Sequence, residues 1–190
     1  MRNLVLLAAL ALVPPMLNGC IPLLVGGAAT TGVLVAEDRR SVGSVTEDQE
    51  IEFRIAERVR DSYRDKIHIN ATSYNRIVLL TGEVPTEEVK AEIEKTVASI
   101  NNVRGVQNEM SVGLTSSLSN RAHDSLVTSK VKARFVDAAK FQPNHVKVVT
   151  ERGVVYLLGL VTREEADQAV EIARTTSDVK KVVKVFQYIQ

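Results

Sequence analysis

Two stretches of the chain carry the same succession of apolar and polar positions. Residues 76–88 and 153–165 each begin as an apolar run and stop at a glycine (Gly82, Gly159). Each then passes a valine (Val84, Val161) and opens into a glutamate-rich helix start (Glu87-Glu88, Glu164-Glu165). Upstream of the first stretch, Ile51, Ile55, Ala56 and Val59 recur at helical spacing, so a helix is expected over about 47–62, with Thr46 as its N-cap. Upstream of the second, Val127, Val131 and Phe135 predict a helix over about 124–138. β-Branched runs predict strands near 67–73 and 76–82, the pair joined through Ser73-Tyr74-Asn75, and again near 145–150 and 153–160. Val89, Ile93, Val97 and Ile100 mark a second helix in the first half; Ala166, Ala169, Val170 and Ala173 mark its counterpart over 163–176. Closing strands follow over 103–112 and 179–189.

A shift of 76 or 77 residues lays Asp48 on Asp124, Ile51 on Val127, Val59 on Phe135, Gly82 on Gly159 and Val103 on Val179. The chain therefore repeats one module, in the order α-β-β-α-β. A strand–helix–strand crossover that pairs in parallel is right-handed, which puts both helices of a module on one face of a three-stranded mixed sheet. The expected class is α+β. The expected division is a leader (1–19), a linker (20–45), a first module (46–113), a short connection (114–121) and a second module (122–190).

Composition sharpens this. The chain has no Trp, four Phe and four Tyr in 190 residues, so each core is built from Val, Ile, Leu and Ala. Modules this small are marginally stable alone, so packing between the two is expected. The net charge of +1 hides an asymmetry: residues 46–113 hold 13 acids and 9 bases, residues 121–190 hold 12 bases and 8 acids. Such a split points to different partners for the two copies, or to each other as partners.

The N-terminus carries a different signal. Met1-Arg2-Asn3 is a short positive start, and Leu4 to Val13 is an apolar stretch of signal-peptide length, too short to span a bilayer as a helix. Leu17-Asn18-Gly19-Cys20 resembles the bacterial lipobox, in which the cysteine becomes the lipidated first residue after cleavage. Cys20 is the sole cysteine, which also excludes an intramolecular disulfide. Several acyl chains on one residue anchor stably, because each buried methylene adds about 0.8 kcal/mol. Ile21, not Asp, follows the cysteine; by resemblance to enterobacterial sorting rules this implies the outer membrane. Residues 21–36 are apolar and glycine-rich, too few to cross a membrane, and are expected to lie on the lipid surface or against a module. Residues 37–44 read as an exposed linker with turn chemistry.

Enzyme chemistry finds no foothold, and no cofactor is implied. His68, His123 and His145 fall on different elements without metal-ligand spacing. His123-Asp124-Ser125 are consecutive, so they do not form a triad, and Asp124 reads as a helix cap. The glutamate pairs occupy first helical turns, where acids stabilise the dipole. Nucleic acid is not an expected partner of a secreted, lipid-anchored chain that lacks aromatic residues interleaved with bases.

Two α-β-β-α-β units, each with a glycine ending its second strand and a later Val-x-x-Val (Val103/Val106, Val179/Val182), resemble BON domains. With the lipobox and Arg40-Ser-Val-Gly43 before them, the chain resembles the dual-BON-domain outer-membrane lipoproteins over essentially its whole length. That resemblance implies a non-enzymatic, lipid-anchored protein facing the periplasm, supporting envelope integrity and binding phospholipid.

The two first helices differ where such binding would occur. Leu126, Lys130 and Arg134 form one stripe beside the core positions, and the aligned residues of the first module are Glu50, Arg54 and Arg58. An apolar residue has replaced an acid next to two cations, which is what an interfacial helix needs, and Lys132 stands at the rim. Anionic phospholipids (phosphatidylglycerol, cardiolipin) are the expected partners; the resemblance implies the same helix. The acidic first module is the expected surface for a rival role, an adaptor docking to outer-membrane protein assembly machinery. The Lys180-Lys181-x-x-Lys184 cluster reads as protection of an open strand edge, with anion binding as the alternative.

Overall fold

The computed structural model describes residues 38–63 and 67–190. The leader, Cys20 and the glycine-rich segment lie outside the described residues. The first repeat comprises α1 (Val42–Tyr63), β1 (His68–Tyr74), β2 (Ile77–Val84), α2 (Glu87–Ala98), β3 (Gly105–Asn108) and β4 (Ser111–Val112). The second comprises α3 (Leu118–Ala138), β5 (Val146–Glu151), β6 (Val154–Val161), α4 (Arg163–Arg174) and β7 (Lys181–Tyr188), with a 3-10 turn at Pro143–His145. In both sheets the second strand is central, antiparallel to the first and parallel to the last, as the repeat predicts.

Both first helices start earlier than the apolar spacing places them. The helix begins at Val42, so Thr46 is internal, its hydroxyl donating to the Val42 carbonyl at 3.1 Å. In the second repeat Ser117, not Asp124, is the N-cap, accepting from the backbone N–H of Asn120. Residues 118–121 of the polar connection are thus the first turn of α3, where a polar surface is no obstacle to helix. Asp124 is instead buried in mid-helix. Its carboxylate accepts the N–H groups of Arg152 and Gly153, both at 2.8 Å, in the β5–β6 turn. Asp48 does the same for the β1–β2 turn through Asn75 (2.7 Å) and Arg76 (2.8 Å). All four turn residues have positive φ, which is the conformation of a tight two-residue hairpin turn. The second helices keep their expected starts: Thr86 caps α2, and Thr162 with Glu165 forms a reciprocal capping box on α4. The closing strand of the first repeat is interrupted. Met110 leaves the ladder between β3 and β4 and is buried in the helix-side core.

Three apolar cores result. Ile51, Ile55, Val78, Leu80, Ile93 and Val97 join α1 and α2 to the first sheet. Val127, Val131, Phe135, Val155, Leu157 and Ala169 do the same in the second repeat. Tyr74, Leu79, Tyr156 and Leu158 form a third, from the opposite faces of both sheets. The order is helix, sheet, sheet, helix. This is why β2 and β6 are apolar at consecutive positions: each is covered on both faces. The expected packing between modules is therefore back to back.

Residues 38–40 are not an exposed linker. Arg39 donates to the Leu160 carbonyl and pairs with Glu165 of the second repeat at 2.6 Å. Arg40 pairs with Asp48 of the first at 2.9 Å and lies over the Tyr74 ring. Two adjacent arginines thus strap the repeats together, a role that pattern reading misses because Glu165, the partner of Arg39, is 126 residues away in sequence.

Candidate functional site

The helix α3 divides its surface three ways. Val127, Val131 and Phe135 face the sheet. Lys130 and Arg134 lean toward the end of α4. Lys130 Nζ pairs with Asp178 at 2.6 Å. Arg134 donates to the Ile172 carbonyl and the Thr176 hydroxyl, both at 2.9 Å, satisfying the C-terminal end of α4. The remaining face points to solvent and is uncharged: Ala122, Leu126, Ser129, Ala133 and Val136, at alternating steps of four and three residues. On it Leu126 is 60 % exposed and Val136 62 % exposed.

The four residues singled out on this helix therefore sit in different surroundings. Leu126 is open. Lys132 is exposed on the other flank of the uncharged face, with no ion-pair partner among the described residues. Lys130 is exposed but paired. Arg134 is partly buried and engaged with backbone. Asp178, an exposed acid, is held below its usual range by the hydrogen bond and charge of Lys130. Val136 was not singled out by the sequence reading; its signal was the four-and-three spacing of uncharged positions opposite the core stripe.

The first repeat presents a different face. On α1, Phe53 is 69 % exposed, and exposed Glu50 and Glu57 stand on the same helix. Arg54 is tied to Glu50 at 2.5 Å. Phe53 was also missed, because a single aromatic among charges has no periodicity to reveal it.

The histidines do not converge. His145 is buried beside Glu165, 3.2 Å from its carboxylate, while His123 is exposed on α3. Asp124 is committed to the hairpin turn, and Ser125 donates to the Arg121 carbonyl at 3.1 Å. His123, Asp124 and Ser125 make no catalytic relay. Lys181 and Lys184 are exposed on β7, an edge strand, where lysine blunts pairing with another chain. Among the described residues, no helix is long and apolar enough to cross a membrane.

These features define a class: a tandem of two α-β-β-α-β modules fused through the backs of their sheets, with unlike helix faces turned outward. The family model for the BON domain matches residues 47–113 and 123–190, and the chain belongs to the BON-domain family. It is similar to the "Outer membrane lipoprotein DolP" of Haemophilus influenzae, at 37 % identity over 91 % of this chain and 90 % of that one. It is also similar to the "21 kDa hemolysin" of Actinobacillus pleuropneumoniae, 32 % identical over 80 % of each chain. The "Osmotically-inducible protein Y" of Escherichia coli is 27 % identical over 80 % of this chain and 78 % of its own.

Proposed function

We propose that this chain is a non-catalytic outer-membrane lipoprotein, anchored through acylated Cys20 and facing the periplasm. In this role it supports envelope integrity and binds anionic phospholipid through the outward face of α3. The anchor and location are supported by the lipobox-like Leu17 to Cys20 and by the similarity to DolP of Haemophilus influenzae. The lipid contact rests on one observation above all: an uncharged helix face with Leu126 and Val136 exposed, edged by Lys130 and Lys132, with a single exposed acid, Asp137, on the Lys130 side. Leu126 and Val136 enter the boundary between headgroups and acyl chains, and each lysine near an anionic surface adds about 1 kcal/mol. Sedimentation with vesicles of phosphatidylglycerol or cardiolipin, against phosphatidylcholine, tests the reading. Equal binding by the wild type and a Leu126→Glu, Lys130→Glu double variant would remove α3 from the role.

A second reading is favoured by Phe53. An exposed aromatic among acids on the first repeat fits a basic, partly apolar protein surface, as an adaptor in outer-membrane protein assembly would need. Photocrosslinking from position 53 in cells discriminates. A specific protein captured there, with no vesicle binding by the wild type, favours the adaptor.

A further inference from the structure

Three potential ligands from both repeats meet where the sheets join. Glu83 stands near the end of β2, His68 opens β1 beside it, and Glu151 ends β5 of the second repeat. One ligand atom from each lies within 4.8 Å of the other two. Both glutamates are buried. His68 Nδ1 is 3.1 Å from Glu83 Oε2. Tetrahedral coordination at bond lengths of about 2.0–2.1 Å separates neighbouring ligand atoms by roughly 3.3 Å, so this pair already has the spacing of two such positions.

Each carboxylate is oriented from behind. The backbone N–H of Ser116, in the connection between repeats, donates to Glu83 Oε2 at 3.1 Å. Asn70 Nδ2 donates to Glu151 Oε2 at 2.9 Å. Second partners of this kind hold metal ligands in place. Glu83 Oε1, in contrast, is buried and accepts no hydrogen bond among the described residues. An orphaned carboxylate oxygen is expensive, more so than a neutral acceptor. A proton on His68 would serve Oε2 and leave Oε1 orphaned, whereas a cation bound by the Glu83 carboxylate through both oxygens would engage Oε1 as well. A solvent-connected cavity of about 360 Å³ reaches His68 and Glu151 from the side of Asn70, Arg121 and Thr150, with Glu83 behind its lining, and gives an ion and a coordinating water access to those two ligands.

We propose that His68, Glu83 and Glu151 form a divalent transition-metal site of the zinc class, completed by water, that ties the first repeat to the second. One imidazole and two carboxylates are a zinc donor set, and softer or larger ions are disfavoured by the absence of sulfur and the small oxygen count. The site exists only when the sheets are packed, so the ion stabilises the packed pair.

The test uses full-length protein in detergent, stripped with EDTA and titrated with Zn2+ by calorimetry, with thermal unfolding followed in parallel. The expected result is one ion bound per chain. Zinc at about a hundredfold over its dissociation constant should raise Tm by about 5–10 °C. His68→Asn and Glu151→Gln, checked for fold by circular dichroism, should each lower affinity at least about tenfold and abolish the Tm rise. Should Glu151→Gln fail to fold, His68→Asn decides, since His68 lies at the cavity and is only partly buried. No zinc uptake by the wild type, or uptake that His68→Asn leaves unchanged, overturns the site.

Discussion

Asp124, in the middle of α3, holds the N–H of Gly153 at 2.8 Å across 29 residues of chain. The same bond pattern recurs one repeat earlier, where Asp48 holds the Asn75-Arg76 turn. In each module a buried acid on the first helix thus anchors the hairpin that the helix covers. Asp124→Ala would leave the buried Gly153 N–H and the part-buried Arg152 N–H without their acceptor. Urea denaturation should show a loss of about 1–3 kcal/mol, the penalty of one buried unsatisfied donor, with Asp124→Asn losing less because one acceptor remains.

Gly82 has φ +109°, and a Cβ there would fall inside the contact distance of the His68 carbonyl oxygen across the ladder. Backbone cannot swing aside as a side chain would. Gly82→Ala should cost about 3 kcal/mol or more, combining strain and overpacking. Gly113 also has an unusual φ but meets nothing within 4 Å, so Gly113→Ala should cost only about 1 kcal/mol. Paired thermal melts of the two variants check the contrast.

Glu165 predicts an acid-sensitive strap. Burial alone would raise its pKa, but the Arg39 hydrogen bonds, the Thr162 N–H and His145 overcome this and bring it down to about 2. A depressed folded-state value contributes stability above the ordinary carboxylate pKa and loses it as pH falls toward 2. Arg39→Ala should therefore destabilise by about 1–2 kcal/mol at pH 7. The gap from wild type should narrow between about pH 4.5 and pH 2, read by urea unfolding at each pH.

Asp178 restrains Lys130 beside the proposed lipid-binding face. Asp178→Asn should free that charge and strengthen binding to phosphatidylglycerol vesicles about fivefold, the equivalent of about 1 kcal/mol. Lys132→Glu should weaken binding more than Lys130→Glu, since Lys130 is already partly neutralised. Sedimentation at two salt concentrations measures both, and the difference should shrink at high salt.

The repeat, its element order and the apolar stripes of the helices, exposed Ala56 apart, were legible because amphipathic periodicity and duplicated glycines are local records of what each element covers. The starts of α1 and α3 were not, since polar residues extend a helix without marking it. Asp48 and Asp124 are equivalent by the repeat, yet Asp124 reads as a cap and Asp48 as a first-turn acid where the structure has hairpin anchors. A carboxylate serves N–H groups equally well in either place, and only the position of the turn distinguishes them. Leu126 could be singled out by comparing repeats; the engagement of Lys130 and Arg134 with the end of α4 could not.

By itself, the sequence determined a duplicated α+β module with cores of small aliphatic residues, because each helix and strand must bury its own apolar face. Tertiary structure alone decided that the sheets join back to back, that Arg39 and Arg40 bind opposite repeats, and that His68, Glu83 and Glu151 converge. The contacts that do so link residues up to 126 positions apart, and no local period encodes a partner at that separation.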